Sequence, residues 1–177
     1  MPRAGTAAGT IGWVGISPYL SRLREAVGHE LVLVPSVAVL AWDEDGRLLL
    51  VRDAQTGHWQ TIGGAIEPDE SPQEAALREA REEASVAVEL TGIRGVVGGP
   101  ALRMTYPNGD QVAYVSTVFD GHVLNGTPRP DDEETSAVGW FSQTELGGLD
   151  LSSFTRSLLG AMNILPVESE ADSPAFG

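Results

Sequence analysis

Residues 63–86 read GGAIEPDESPQEAALREAREEASV, a glycine pair, a helix start and seven carboxylates within twenty-four positions. Ser71 before Pro72, with Glu74 three residues after the serine, has the form of an N-cap, a proline at the first helical position and a capping box, so a helix is predicted from here. Ala76, Leu77, Ala80 and Ala84 line up as its apolar stripe, mostly small side chains that let the helix approach a sheet closely. Glu79, Glu82 and Glu83 stand at i, i+3 and i+4 on the border of that stripe, within an arc of roughly 100°. Like charges so placed repel by about 0.2–0.5 kcal/mol per pair in an isolated helix. The arc calls for a counter-charge from outside the helix, and a divalent cation is the natural candidate. Gly63-Gly64 ahead of the helix permits positive φ and an exposed carbonyl that would add an oxygen ligand. Carboxylates with a carbonyl suit hard ions, Mg²⁺ in particular and Mn²⁺ as an alternative, and Mg²⁺ is normally shared with substrate phosphates.

Toward the N-terminus, residues 53–59 form a polar loop, and Leu31 to Trp42 is almost continuously apolar. That run suits a strand buried on both faces, with Pro35 as a break or edge near its start. Asp45-Gly46 signals a hairpin into a second strand, RLLLVR at 47–52. Arg52 at its end is either a solvated charge or a group facing a substrate phosphate. Trp59 is either core or a surface for a base, and with Gly63 these two are the candidate substrate-binding residues. His58 has no second His at ligand spacing and is not expected to bind metal. Ser17-Pro18 opens a short helix, 17–27, with Leu20, Leu23 and Val27 on one face and Gly28 as its stop, expected to cover one end of the core. Residues 1–12 are small and aperiodic, as in a flexible arm.

Toward the C-terminus, Val86 to Gly98 reads as strands with bends at Gly92, Gly95 and Gly98, and residues 101–106 and 111–120 flank the hairpin signal Pro107-Asn108-Gly109-Asp110. Residues 124–132 form a loop that ends in the acidic run Asp131-Asp132-Glu133-Glu134. Val138 to Phe141 is a last strand, Ser142 with Glu145 makes a capping box, and Leu151, Phe154, Leu158 and Met162 set an amphipathic closing helix. A single domain over 13–165 is expected, followed by an acidic tail, 166–177, without periodicity.

The chain has 177 residues, no cysteine and a net charge of -14. Absence of cysteine excludes disulfides, thiolate metal sites and a cysteine nucleophile, and fits a reducing, cytoplasmic setting. Strong negative charge argues against a nucleic-acid polymer as partner. No run reaches the ~18–20 apolar residues of a membrane span.

Gly64, Glu70, Arg78-Glu79, Glu82-Glu83 and Val86 fall at the spacing of the Nudix box, G-x5-E-x7-R-E-U-x-E-E-x-G-U with U a bulky aliphatic, and every charged position matches. From about Val32 to Met162 the order of elements is also similar to that of the Nudix hydrolase family, MutT-like proteins included. Ala80 is small for its position, Ser85 replaces the glycine that ends the helix, and Ile62 replaces a proline common before the glycine pair. Were Ser85 left-handed, it would cost on the order of 1 kcal/mol against glycine and could reshape the helix end.

The resemblance implies an α/β (α+β) fold, an α/β/α sandwich around a mixed β-sheet. It implies that Glu82 and Glu83 are the main Mg²⁺ ligands, with Glu79 a ligand or base and the Gly64 carbonyl assisting. Arg78 would brace the glutamates, and Glu70 would hold loop and helix together. The implied reaction is hydrolysis of a nucleoside diphosphate linked to another moiety, a small nucleotide-type substrate, by an activated water. The base would be Glu79 or, from the loop before Trp140, Glu134, with Glu133 its rival. A homodimer is compatible with the sequence. The competing reading from another class is a catalytically silent nucleotide sensor of the same fold.

Overall fold

Chain alternation decides the layering. In the computed structural model, which describes residues 17–165, the long apolar run becomes β1 (Val32–Trp42) at the centre of a seven-stranded mixed sheet. The expected arm at 1–12 and tail at 166–177 lie outside the described residues. β2 (Leu48–Asp53) pairs antiparallel with β1, with β3 (Trp59–Thr61) and with β7 (Thr135–Phe141). On the other side of β1, β6 (Gln111–Asn125) runs parallel to it from Val32↔Val112 to Trp42↔His122. β4 (Ala87–Val97) and the short β5 (Arg103–Thr105) pair antiparallel with β6. β4 carries register shifts around Gly92 and Gly95, where the glycines marked bends. A 3-10 turn at Pro100–Leu102 occupies the start of what reads as strand in the sequence.

Because successive residues of a strand face opposite ways, β1 serves two cores. Val37, Val39 and Ala41 pack with α2 (Pro72–Ala84), together with Leu49, Val51, Ile62 and Phe119. Ala38 and Leu40 face the other way, against α4 (Ser153–Ala161), with Leu48, Leu50, Val118, Leu146, Leu158 and Leu159. The short α3 (Gln143–Leu146) carries the expected capping box of Ser142 and Glu145. The result is the α/β/α sandwich around a mixed sheet. Among the described residues no helix is long and apolar enough to cross a membrane.

Three local expectations are corrected. Pro35 neither breaks β1 nor puts it at an edge. The 62–66 segment bonds one side of β1, through Val39 N–H to Ile62 O, Val37 N–H to Gly64 O and Ile66 N–H to Pro35 O. Pro35 sits where that segment ends, so its missing N–H deprives little. The first helix, α1 (Pro18–Val27), is capped by Ser17 and stopped by Gly28 as read, yet none of its residues is buried. It is held by Arg24, which reaches the carbonyls of Gly28, Glu30 and Gln111 at 2.7–3.1 Å and lies 3.6 Å from Asp110. Its apolar face of Leu20, Leu23 and Val27 is half-buried, so the pattern marked the packing side but not the depth of burial. In α2, Ala75 rather than Leu77 completes the fully buried set with Ala76, Ala80 and Ala84, and Glu79 and Glu83 are buried beside them.

Candidate active site

The site is assembled where α2 meets the glycine pair. Ser71 accepts from Glu74 N–H while Glu74 Oε2 accepts from Ser71 N–H at 2.9 Å, which fixes the first turn and hence the azimuth of every glutamate after it. Four alanines on the buried stripe draw the helix close to the sheet, and the carboxylates on its border follow. Gly63 takes φ 150°, and a side chain there would overlap the Val37 carbonyl. A side chain on Gly64 would overlap the Glu79 carboxylate. The pair is therefore needed for close approach on two sides at once.

Arg78 is the hub. Its Nε and Nη2 hold Glu70 in a fork, 2.8 and 2.9 Å, while Nη1 donates to Glu79 at 2.8 Å and to Glu82 at 2.9 Å. Nη2 also reaches the Ala65 carbonyl at 3.2 Å, tying helix to loop. Hydrogen bonding from Arg78 holds the Glu70 carboxyl below its usual range. Glu83 turns the other way, to the Gly63 N–H at 2.9 Å. It is buried, and that burial, with the neighbouring Glu79 charge, pushes its carboxyl well above the ordinary value. Burial also raises Glu79, outweighing its ion pair with Arg78. Glu82 keeps its side chain 57% exposed at the mouth.

Glu134 arrives from the loop before β7. Its carboxylate has no hydrogen bond or ion pair among the described residues, and it is raised by partial desolvation and then by the charges of Asp131, Glu82 and Glu133. Glu79 and Glu83 in turn feel its charge. The acidic run thus acts on the box, Glu134 on both Glu79 and Glu83 and Asp131 on Glu83.

Among the described residues no three of these groups form a preassembled cage for a metal. Two buried carboxylates, Glu79 and Glu83, nonetheless carry more negative charge than Arg78 and one N–H offset, and Mg²⁺ needs only one or two carboxylates because it keeps its waters. The donor set fits a hard divalent cation. The Gly64 carbonyl is less available than the sequence suggests, since Val37 N–H occupies one of its lone pairs at 2.9 Å. Ser85 is left-handed, φ 56° and ψ 31°, and donates to the carbonyls of Ala80 and Arg81, so serine is carried without reshaping the helix end.

These features fit one family, and comparison with known proteins names it. The NUDIX domain matches residues 32–159. The chain belongs to the Nudix hydrolase family. It is 34% identical over 145 residues to a MutT-like protein of Streptomyces ambofaciens, covering 82% of this chain and 86% of that one. A nucleoside triphosphatase NudI of an Enterobacter species is 32% identical over 103 residues, 56% of this chain and 72% of the relative. The crystal structure of a MutT protein from Methanosarcina mazei superposes with a TM-score of 0.63 at 26% identity, over 76% of this chain and 95% of that one. Nudix hydrolases cleave pyrophosphate bonds and generally use divalent cations.

The structure does not bring Arg52 and Trp59 to the Nudix carboxylates. Trp59 belongs to the α4-side core, edge-on to Phe141 at 4.8 Å between centroids, and its carbonyl accepts from Ser152 N–H. Arg52 folds its Nε onto the Gly57 carbonyl of its own loop at 2.7 Å. What the sequence did not single out is a strip on the α2 face that the helix leaves uncovered. Leu33 is 68% exposed, Val96 61% and Ile93 60%, with Val115 beside them, next to the end of the 62–66 segment. The alternation of β1 and β6 places Leu33 and Val115 on the carboxylate face, which is the signal that could have found them.

Proposed function

We propose that this Nudix hydrolase is a Mg²⁺-dependent enzyme that hydrolyses a nucleoside diphosphate linked to another moiety, by attack of a water on one phosphorus. The observation that carries the reading is the Arg78 hub, which collects Glu70, Glu79 and Glu82 beside the buried Glu83, where Glu79 and Glu83 also feel the charge of Glu134. Pyrophosphates resist hydrolysis because their charge repels the nucleophile, and a divalent cation bound here would neutralise that charge and acidify a water. Glu82 and Glu83 would be its main holders, with Glu79 third and the second lone pair of the Gly64 carbonyl assisting.

Glu79 already shares its carboxylate with Arg78, whereas Glu134 is unengaged and raised in pKa, which suits a proton acceptor. Glu134 is accordingly read as the base and Glu79 as a holder and orienter. The organic part of the substrate would lie on the uncovered strip of Leu33, Val96 and Val115, on the same face as the phosphates, with Arg52 and Trp59 serving the fold.

The test is a panel of dGTP, ADP-ribose and a diadenosine polyphosphate with Mg²⁺, reading phosphate or pyrophosphate release. Wild-type turnover on at least one compound is expected, reduced on the order of 10²–10³-fold by Glu82→Gln. Binding without turnover across the panel would instead identify a silent sensor, and a fully active Glu82→Gln would refute the metal-holding role.

A further inference from the structure

The segment from Gly126 to Thr135 crosses the C-terminal end of α2, where the last carbonyls of a helix have no donor of their own. It supplies two. Arg129 N–H donates to the Ala84 carbonyl at 3.1 Å, and the Thr135 hydroxyl donates to the Glu83 carbonyl at 2.8 Å. Gly126, at φ 95°, lies so near Ser85 that a side chain there would press on the Ser85 carbonyl. Thr135 is completely buried, and among the described residues its hydroxyl makes the only side-chain hydrogen bond between this loop and α2.

The same threonine closes a second set of bonds. Asp131 Oδ1 accepts the N–H groups of Glu133, Glu134 and Thr135 at 3.0, 3.0 and 2.8 Å, and lies 3.1 Å from the Thr135 hydroxyl. Asp131 N–H donates back to Thr135 Oγ1 at 3.2 Å. Glu134 is thereby held on both sides of its Cα, its N–H by Asp131 and its carbonyl by Ala54 N–H at 2.9 Å. The residue after it is pinned to the backbone of Glu83. A loop with this many fixed points cannot drift relative to the helix without breaking a buried bond.

We propose that Thr135, together with Asp131, is a positioning residue that sets the distance between the Glu134 carboxylate and the end of α2 that carries Glu82 and Glu83. The inference rests on the reading of Glu134 as proton acceptor. A base must stay within hydrogen-bond reach of the water it deprotonates, and a displacement of about 1 Å is enough to cost on the order of 10²-fold in rate. Threonine suits the task because its hydroxyl can donate to one carbonyl and accept from one N–H while its methyl is buried.

The experiment is a double-mutant cycle in the full chain. It measures kcat and KM on the most rapidly hydrolysed nucleotide of the panel above, with thermal unfolding as a check on folding. Thr135→Val is expected to lower kcat about 10- to 100-fold with KM changed less than about 3-fold, and Thr135→Ser to recover most of the rate. In the Glu134→Gln background, Thr135→Val should add little, because there is no base left to place. If Thr135→Val does not fold, Asp131→Ala takes its place in the same cycle. Equal losses from Thr135→Val with and without Glu134, or a wild-type kcat for Thr135→Val beside an impaired Glu134→Gln, would overturn the positioning role alone. Full activity of Glu134→Gln would overturn the reading of Glu134 itself, and the positioning role with it.

Discussion

On the α4 face of the sheet, Leu146, Leu151, Leu158, Leu159, Ile164 and Leu165 close over Ala38, Leu40, Leu48 and Leu50, with Trp59 and Phe141 filling the rim. On the α2 face the covering helix offers alanines instead, and glutamates at their border. Large residues on one side fill space and hold nothing else. Small residues on the other bring a helix backbone close enough to the sheet that Gly63 N–H can reach Glu83 and Glu79 can lie against Gly64. They also leave part of that face bare, from Leu33 across to Ile93. The same strands thus support a closed core on one side and an open, charged site on the other, and side-chain volume on two helices makes the difference.

The contrast is most sharply tested by one substitution on each face. Leu158→Ala, on α4 and fully buried against the sheet, is expected to cost about 2–5 kcal/mol in urea unfolding and to leave kcat of the folded enzyme unchanged. Arg78→Lys should do the reverse. Lysine cannot hold Glu70 in a fork while bridging Glu79 and Glu82, so kcat should fall on the order of 10- to 100-fold with a smaller loss of stability. Equal effects of both on kcat would erase the distinction between the faces.

A second test uses pH. Glu79 and Glu83 have folded-state pKa values raised above 4.5, so above that pH the folded protein binds more protons than the unfolded chain. Metal-free protein should therefore gain stability as pH falls from neutrality toward 4.5, the opposite of an ordinary salt-bridged carboxylate. Glu70, lowered by Arg78, contributes in the usual sense, its stabilisation being lost only as pH falls below 4.5. Thermal unfolding of Glu83→Gln between pH 5 and pH 8 should show most of the slope removed, on the order of the buried carboxylate's share. An unchanged slope would mean that Glu83 is not the strained group. The smallest effect is expected at the helix end. Ser85→Gly relieves a left-handed serine and should add about 1 kcal/mol, a rise in Tm of about 2–4 °C, without altering kcat.

Much of the α2 side was legible because its information is local. Ser71, Pro72 and Glu74 fix where the helix begins, and from that origin the spacing of Glu79, Glu82 and Glu83 fixes where they point. Residues whose roles depend on distant partners read less well. Arg52, a charged strand end, and Trp59, an aromatic just before the glycine pair, were candidate substrate contacts, but strand alternation carries them to the α4 side. Leu20, Leu23 and Val27 announced an amphipathic α1, and that face is only half-buried. Glu134 could be named as a candidate base only through the resemblance and its place before Trp140, with Glu133 its rival, and nothing local marks Thr135 as the residue that ties that run to Glu83.

The amino-acid sequence alone determined the box helix, its caps, the arc of carboxylates and the order of strands, since periodicity, turn chemistry and motif spacing act over a few residues. Tertiary structure alone decided that Arg78 would take three glutamates at once, that Glu83 would be buried against Gly63, and that the loop before β7 would bring Glu134 to them. Those contacts join residues up to fifty-two positions apart, as at Thr135 and Glu83. They depend on how closely α2 can approach the sheet, which is set by packing rather than by any local pattern.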